Sequence, residues 1–142
     1  MNGDFAGLRL LLVGPVPPPA GGMAMQTAQL QRLLREGGAD VELVATNAAY
    51  RPAWLGRVRG LRALARLLPY VADLWRACGR AQLMHLMANS GWSWHLFAMP
   101  AIAMARLRGL PVLVNYRGGE AESFLRRWRH VVALSLNRVQ AL

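Results

Sequence analysis

Glycines and polar side chains follow three apolar segments of this chain, and their types and spacing could do chemistry. Gly21 and Gly22 come after the apolar run Leu8–Val13, and Asn89 and Ser90 come after a second run. A third run is followed by the remaining candidates, Arg117, Gly118, Gly119 and Glu120. Glycine backbone N–H groups, a guanidinium and an amide are suited to binding phosphate and sugar hydroxyl groups. The pattern predicts a site for a phosphorylated or polyhydroxylated ligand.

Apolar runs and helical stretches alternate along the chain, which predicts the element that must position these residues. Strands are expected at Leu8–Val13, Val41–Thr46, Gln82–Met87 and Pro111–Tyr116. Helices are expected at Met23–Glu36, Val58–Cys78, Trp92–Arg108 and Glu120–Leu142, with a break near Pro69 or a bend at Pro100 left open. Gly37-Gly38 and Gly109 are expected to end two of these helices. The alternation predicts an α/β fold with a Rossmann-like parallel sheet flanked by helices.

In a parallel sheet the carboxyl ends of all strands lie at one edge, so the loops that follow the strands should converge. A fourth loop, carrying Asn47, Tyr50 and Arg51, belongs to the same edge. Each candidate also has a structural interpretation. The glycines could only form turns, Glu120 could complement a helix dipole, and Arg117 could form an ion pair. His85, inside the third strand, is expected to be a core histidine.

Composition limits the remaining chemistry. The chain has 142 residues, which suits one domain, and a net charge of +10 that arises from arginines without a single lysine. Anionic partners are therefore plausible. Cys78 is the only cysteine, and His95 and His130 lack the spacing of metal ligands, so we predict no metal. The dinucleotide-binding glycine pattern is absent after Val13, and a P-loop would need a lysine. No nucleic-acid-binding motif is present either.

The segment Arg51–Pro69 carries an amphipathic pattern. Apolar positions gather on one side of the helix it would form, and Arg59, Arg62 and Arg66 gather on the other. Such a helix could rest on an anionic membrane surface or pack on the sheet like any surface helix. No signal peptide is recognised, and Trp92–Ala105 is too short to span a bilayer. We expect a cytoplasmic protein, either free or attached to the inner face of the membrane.

Three stretches of the chain resemble the N-terminal domain of family 4 glycosyltransferases of the GT-B fold. They are LRLLLVGPVPPPAGGMAMQTAQL, AQLMHLMANSG and GLPVLVNYRGGEAESFL, and the resemblance covers nearly the whole chain. It implies an enzyme with two Rossmann-like domains, in which the N-terminal domain receives the acceptor and the second domain binds most of a nucleotide-sugar donor. Residues 1–142 would then be one N-terminal domain that is incomplete at its C-terminus and lacks the donor-binding domain.

The resemblance implies transfer of a sugar from a nucleotide sugar to a lipid-linked or small hydroxylated acceptor, with no cofactor or metal. Gly21 and Gly22 would lie beside the donor phosphates and the acceptor. Many relatives have a histidine where this chain has Arg117, so a histidine-dependent role does not carry over and no catalytic residue is assigned. The alternative is a non-catalytic module that binds an acceptor or a membrane surface through Arg51–Pro69.

Overall fold

Four strands alternate with helices in the computed structural model, which describes residues 3–18, 20–47, 61–89, 94–116, 121–127 and 129–130. The strands are β1 Arg9–Gly14, β2 Asp40–Ala45, β3 Leu83–Ala88 and β4 Val112–Tyr116. The helices are α1 Gly22–Glu36, α2 Leu61–Cys78, α3 Met99–Leu107 and α4 Ala121–Arg127, and a π-helical turn, Trp94–Ala98, precedes α3. The predicted strands are confirmed to within one residue at each end.

The strands form one sheet in the order β2-β1-β3-β4, and every pair is parallel. Leu12 on β1 lies beside Leu43 on β2 and His85 on β3, which places β1 and β3 at the centre. This is the α/β, Rossmann-like arrangement that the sequence predicts.

The apolar runs form strands because both faces of the sheet are covered, as parallel sheets require. Helices α2 and α3 cover one face, where Leu11 and Val13 pack with Leu74 and Ile102 in the larger core cluster. Helix α1 covers the other face over β1 and β2, in the cluster whose buried members are Leu10, Leu12, Leu34, Ala39, Val41 and Met87. A strand such as β1 therefore needs no polar positions between its two ends.

Helices α1 and α3 end in the same way, at the glycines that the sequence singles out. Gly38 has a φ of +97° and Gly109 a φ of +67°, values that favour glycine. In α1 the N–H groups of Gly38 and Ala39 donate to the carbonyls of Arg35 and Leu34, each at 3.0 Å. This paired arrangement satisfies the last helical carbonyls before the chain enters β2.

The two prolines inside predicted helices have different outcomes. Helix α2 runs through Pro69 unbroken, because Leu67, Tyr70 and Leu74 pack on the core on both sides of it. Pro100 lies in the first turn of α3, the part of a helix in which proline is best tolerated. The predicted helix Trp92–Arg108 is therefore two elements, a π-helical turn and then α3. Of the predicted last helix, residues 120, 128 and 131–142 lie outside the described part.

Helix α1 approaches the end of β1 unusually closely at Gly14. A Cβ added to Gly14 would lie 2.9 Å from the Met87 Cβ and 3.0 Å from the Thr27 hydroxyl oxygen. Thr27 is fully buried on α1, and its hydroxyl donates to the Met23 carbonyl oxygen at 2.9 Å. Glycine is thus required here by close packing.

We expect Gly14→Ala to destabilise the protein by about 1–3 kcal/mol, because the added methyl overpacks the contact between α1 and β3. Urea unfolding measures the change. Gly22→Ala is the matched control, since a Cβ there meets no atom of the described residues within 4 Å. Alanine also favours the helix, so the control should gain up to about 1 kcal/mol. Equal effects of the two substitutions would show that the contact at Gly14 carries no strain.

Candidate functional site

The carboxyl edge of the sheet contains a small cavity. Its volume is about 180 Å3, and it lies where β1, β2 and β3 end and α1 begins. The residues that line it are Pro15, Met23, Thr46, Leu86, Met87, Ala88, Asn89, Phe97 and Ala98. Two of the four loops predicted to converge, those after β1 and β3, therefore contribute to one concavity, and Thr46 at the end of β2 joins them.

The position of this cavity follows from the strand order. After β1 the chain turns to α1 on one face of the sheet, and after β3 it turns to the π-helical turn and α3 on the other face. Since β1 and β3 are neighbours, the two connections diverge and leave a crevice between them. In open α/β sheets such a switch point is where ligands bind.

Gly21 and Gly22 lie at the start of α1, beside this crevice. Gly21 is the residue before the helix and has an extended backbone, with φ −141° and ψ 167°. No side chain caps the helix, and both glycines are exposed. The N–H groups of the first turn point out of a helix without intrahelical partners. Neither backbone conformation nor packing against the described residues requires glycine at these two positions.

Asn47, which the sequence groups with ligand-binding side chains, serves the loop itself. Its side-chain amide accepts a hydrogen bond from the Val16 N–H at 3.0 Å and donates to the Val16 carbonyl at 2.7 Å. The same amide lies 3.4 Å from the Pro18 carbonyl oxygen. The proline-rich loop after β1 is therefore held to the end of β2, and Asn47 is a positioning residue.

Of the other predicted site residues, Asn89 lies at the cavity, directly after β3, and is exposed. The remaining members of the predicted set fall outside the described residues, and these are Ser90, Arg117, Gly118, Gly119, Glu120, Tyr50 and Arg51. Strand β4, which leads to the Arg117 loop, ends beside Ala88 at the same edge of the sheet.

Sequence reasoning missed the apolar lining of the cavity, above all Met23, Met87 and Phe97. These residues stand at apolar positions of helices and strands, as core residues normally do. The periodicity of the sequence does not show whether such a position lies in the core or in the wall of a cavity. Phe97 is placed by Tyr70, whose hydroxyl donates to the Phe97 carbonyl oxygen at 2.7 Å. The two rings also meet edge to face, with centroids 5.3 Å apart. π-Helical turns often occur at functional sites, and this one forms a wall of the cavity.

A larger open concavity, of about 910 Å3, lies at the opposite edge of the sheet. Its arginines are occupied by protein groups: Arg80 forms a salt bridge with Glu42, and Arg9 donates to the Arg80 carbonyl at 3.0 Å. Arg35 donates to the Val41 carbonyl at 2.9 Å. Helices α1, α2 and α3 end at this edge, where their dipoles favour cations over anions. We interpret this concavity as a structural arginine cluster.

The thiol of Cys78 and the imidazole of His85 are shielded from solvent. Burial raises the pKa of the Cys78 thiol to about 11, so it stays protonated and is unsuited to act as a nucleophile. His85 is half-buried on β3, and its Nε2 is shielded and has no hydrogen-bond partner among the described residues. Desolvation lowers the pKa of His85, which favours the neutral imidazole.

Within the described residues, no three side chains of the His, Cys, Asp and Glu types come together as a metal ion would need. None of the described helices is both long and apolar enough to cross a membrane. The chain matches no protein-family model, and searches of curated proteins and of solved structures also found no match.

The shielded imidazole predicts a dependence of stability on pH. Because the pKa of His85 is lower in the folded chain, the unfolded chain binds more protons once the pH falls below about 6.5. Near pH 7.5 the titration of His85 should therefore leave the free energy of unfolding unchanged. Toward pH 5 it should reduce the free energy of unfolding progressively. Urea unfolding at the two pH values should show a smaller loss in His85→Gln than in the unchanged protein. An identical loss in both would contradict the assignment.

Proposed function

We propose that the chain forms the acceptor side of a glycosyltransferase that moves a sugar from a nucleotide sugar to a lipid-linked or small hydroxylated acceptor. The proposal combines the resemblance of the sequence with the Rossmann-like sheet. Gly21, Gly22 and Asn89 are the described residues assigned to substrate or phosphate contact. Ser90, Arg117, Gly118, Gly119 and Glu120 are assigned by the sequence alone.

One observation carries the proposal: the uncapped start of α1 opens at the switch point between β1 and β3. The N–H groups of Gly22, Met23 and Ala24 belong to the first turn and have no intrahelical acceptor. The exposed glycines allow an anionic group to approach these donors without meeting a side chain of the described residues. A helix N-terminus of this kind favours a phosphate through both its donors and its dipole.

In the intact enzyme, transfer of the sugar would leave negative charge on the departing diphosphate. The start of α1 would stabilise that charge, and Arg117, which the sequence places after β4, would add a cationic contact. Asn89 would orient an acceptor hydroxyl at the end of β3. A second domain would complete the crevice and hold the nucleotide, so residues 1–142 alone should show little or no turnover.

Turnover of nucleotide sugars tests the proposal. The 142-residue chain and a chain extended through its downstream reading frame are incubated with a panel of nucleotide sugars and acceptors. We expect sugar transfer only from the extended chain, and robust transfer by the 142 residues alone would refute the division of roles.

In the extended enzyme Gly22→Ala should lower kcat/KM by about tenfold, or about 1.4 kcal/mol, without loss of stability. Unchanged turnover would exclude the start of α1 from the site.

A second candidate function is a module that binds an anionic membrane surface, and exposed side chains on α2 favour it. Leu68 and Trp75 lie two turns apart on one line of the helix and are 66% and 43% exposed. Leu107, at the end of α3, is 70% exposed, and the guanidinium of Arg108 lies 3.8 Å from the centre of the Trp75 ring. Tryptophan, leucine and arginine together are suited to the interface of an anionic bilayer.

This surface includes Leu68, one of the apolar positions that the segment Arg51–Pro69 predicts on one side of its helix. Residues 51–60 lie outside the described part, and α2 packs on the sheet through Leu67, Tyr70 and Leu74. Leu68, by contrast, faces solvent. The packed and the membrane-facing interpretations therefore concern different sides of the same helix.

Co-sedimentation with vesicles tests the membrane candidate. At low salt we expect binding to vesicles containing phosphatidylglycerol, little binding to neutral vesicles, and a decrease as salt screens the arginines. Leu68→Glu should reduce binding severalfold. Leu33→Glu is the matched control, since Leu33 is similarly exposed but lies on α1 over the other face. Equal binding by the two variants, or no preference for anionic vesicles, would refute this candidate.

A further inference from the structure

We propose that the cavity at the carboxyl edge of the sheet binds a small apolar group, an aromatic ring or a short alkyl segment, and that the acceptor is therefore amphiphilic. The cavity is the one bounded by Met23, Met87, Phe97 and Ala98 between the ends of β1 and β3. Its role for an acceptor rests on the proposed function. Its affinity for an apolar group does not.

The walls of the cavity are predominantly apolar. Met87 and Ala98 are almost fully buried, and Met23 and Phe97 are half-buried. Two polar residues, Thr46 and Asn89, join them. An apolar group placed against such walls leaves water and gains close contacts, while a sugar ring would leave its hydroxyl groups without enough partners.

The size of the cavity fits a group of this kind. Its volume is about 180 Å3. An apolar cavity of about 150 Å3 in another protein stays free of water and binds benzene. Methionine side chains on two walls can adjust to the outline of the guest because they are unbranched and polarizable.

The walls are held in place by contacts that do not depend on a ligand. Tyr70 is 4% exposed, and its hydroxyl holds the Phe97 carbonyl in the π-helical turn at 2.7 Å. Burial raises the pKa of Tyr70 far above its ordinary value, so it remains a hydrogen-bond donor. On the opposite side Gly14 lets both Thr27 of α1 and Met87 of β3 pack closely against the end of β1. A preformed cavity loses little conformational entropy on binding.

The cavity and the uncapped helix start share a boundary. Met23, which lines the cavity, directly follows Gly22, whose N–H group is exposed at the start of α1. A ligand with its apolar part beside Met23 would therefore present its polar end to the first turn of the helix. The arrangement suits an acceptor in which a ring or alkyl group lies next to the hydroxyl that receives the sugar, beside the departing diphosphate.

The test uses the full 142-residue chain labelled with 13C at its methionine methyl groups. Benzene is titrated as the probe, and 1,4-dioxane serves as a polar ring of similar size. We expect benzene, at millimolar concentration, to shift the methyl signals of Met23 and Met87. The signals of Met25, which is 54% exposed on the outer side of α1, should stay in place, and dioxane should shift none of the three signals.

Met23→Trp should fill the cavity and weaken benzene binding by about tenfold or more, while Met25→Trp, the matched control, should leave it unchanged. If Met23→Trp does not fold, the methyl shifts of the unsubstituted chain decide by themselves. No shift of Met23 and Met87, or an equal response to dioxane, would overturn the proposal. Benzene binding with no transferase activity in the extended chain would refute the proposed function alone. Transferase activity without benzene binding would refute the amphiphilic acceptor alone.

Discussion

The close contact of α1 with the ends of β1 and β3 is the constraint on which the candidate site depends. Glycine at position 14 lets the Thr27 hydroxyl and the Met87 side chain each come within about 3 Å of the place that a Cβ on residue 14 would occupy. A larger residue would push α1 away from the sheet. The first turn of the helix would then no longer open over the strand ends, and the cavity between Met23 and Met87 would change shape. One absent side chain thus sets both the position of the helix start and the shape of the apolar cavity.

The two edges of the sheet have opposite electrostatic character. At the carboxyl edge the start of α1 presents N–H groups, and the side chains around the cavity are uncharged. At the amino edge helices end, and Arg9, Arg35 and Arg80 are engaged by carbonyl oxygens and by Glu42. The larger concavity lies at the amino edge, yet its cations already have partners. Position in the fold and available donors, and not volume, therefore decide which concavity is the better candidate.

The apolar cavity and the exposed side chains of Leu68 and Trp75 on α2 are both suited to contact with apolar groups. Leu68 and Trp75 expose apolar surface beside arginines, and Met23 and Phe97 bound a cavity for an apolar group. An amphiphilic acceptor held near an anionic bilayer would use both features. They lie on different elements, however, so each can be disrupted without the other. This independence separates a catalytic role from a simple surface-binding role.

The sequence by itself determined the fold class, the approximate bounds of the strands, and the glycines that end α1 and α3. Burial on both faces leaves a clear apolar run, and a left-handed turn demands glycine, so both leave local signals. It also placed Gly21, Gly22 and Asn89 after strands, and the parallel order then brought those strand ends to one edge.

Only the tertiary structure decided what lies between these strand ends. The hydrogen bonds of Asn47 to the proline loop, the carbonyl held by Tyr70 and the crowding at Gly14 join residues distant in the chain. Such contacts leave no periodic trace, because they depend on which elements become neighbours and how closely they pack.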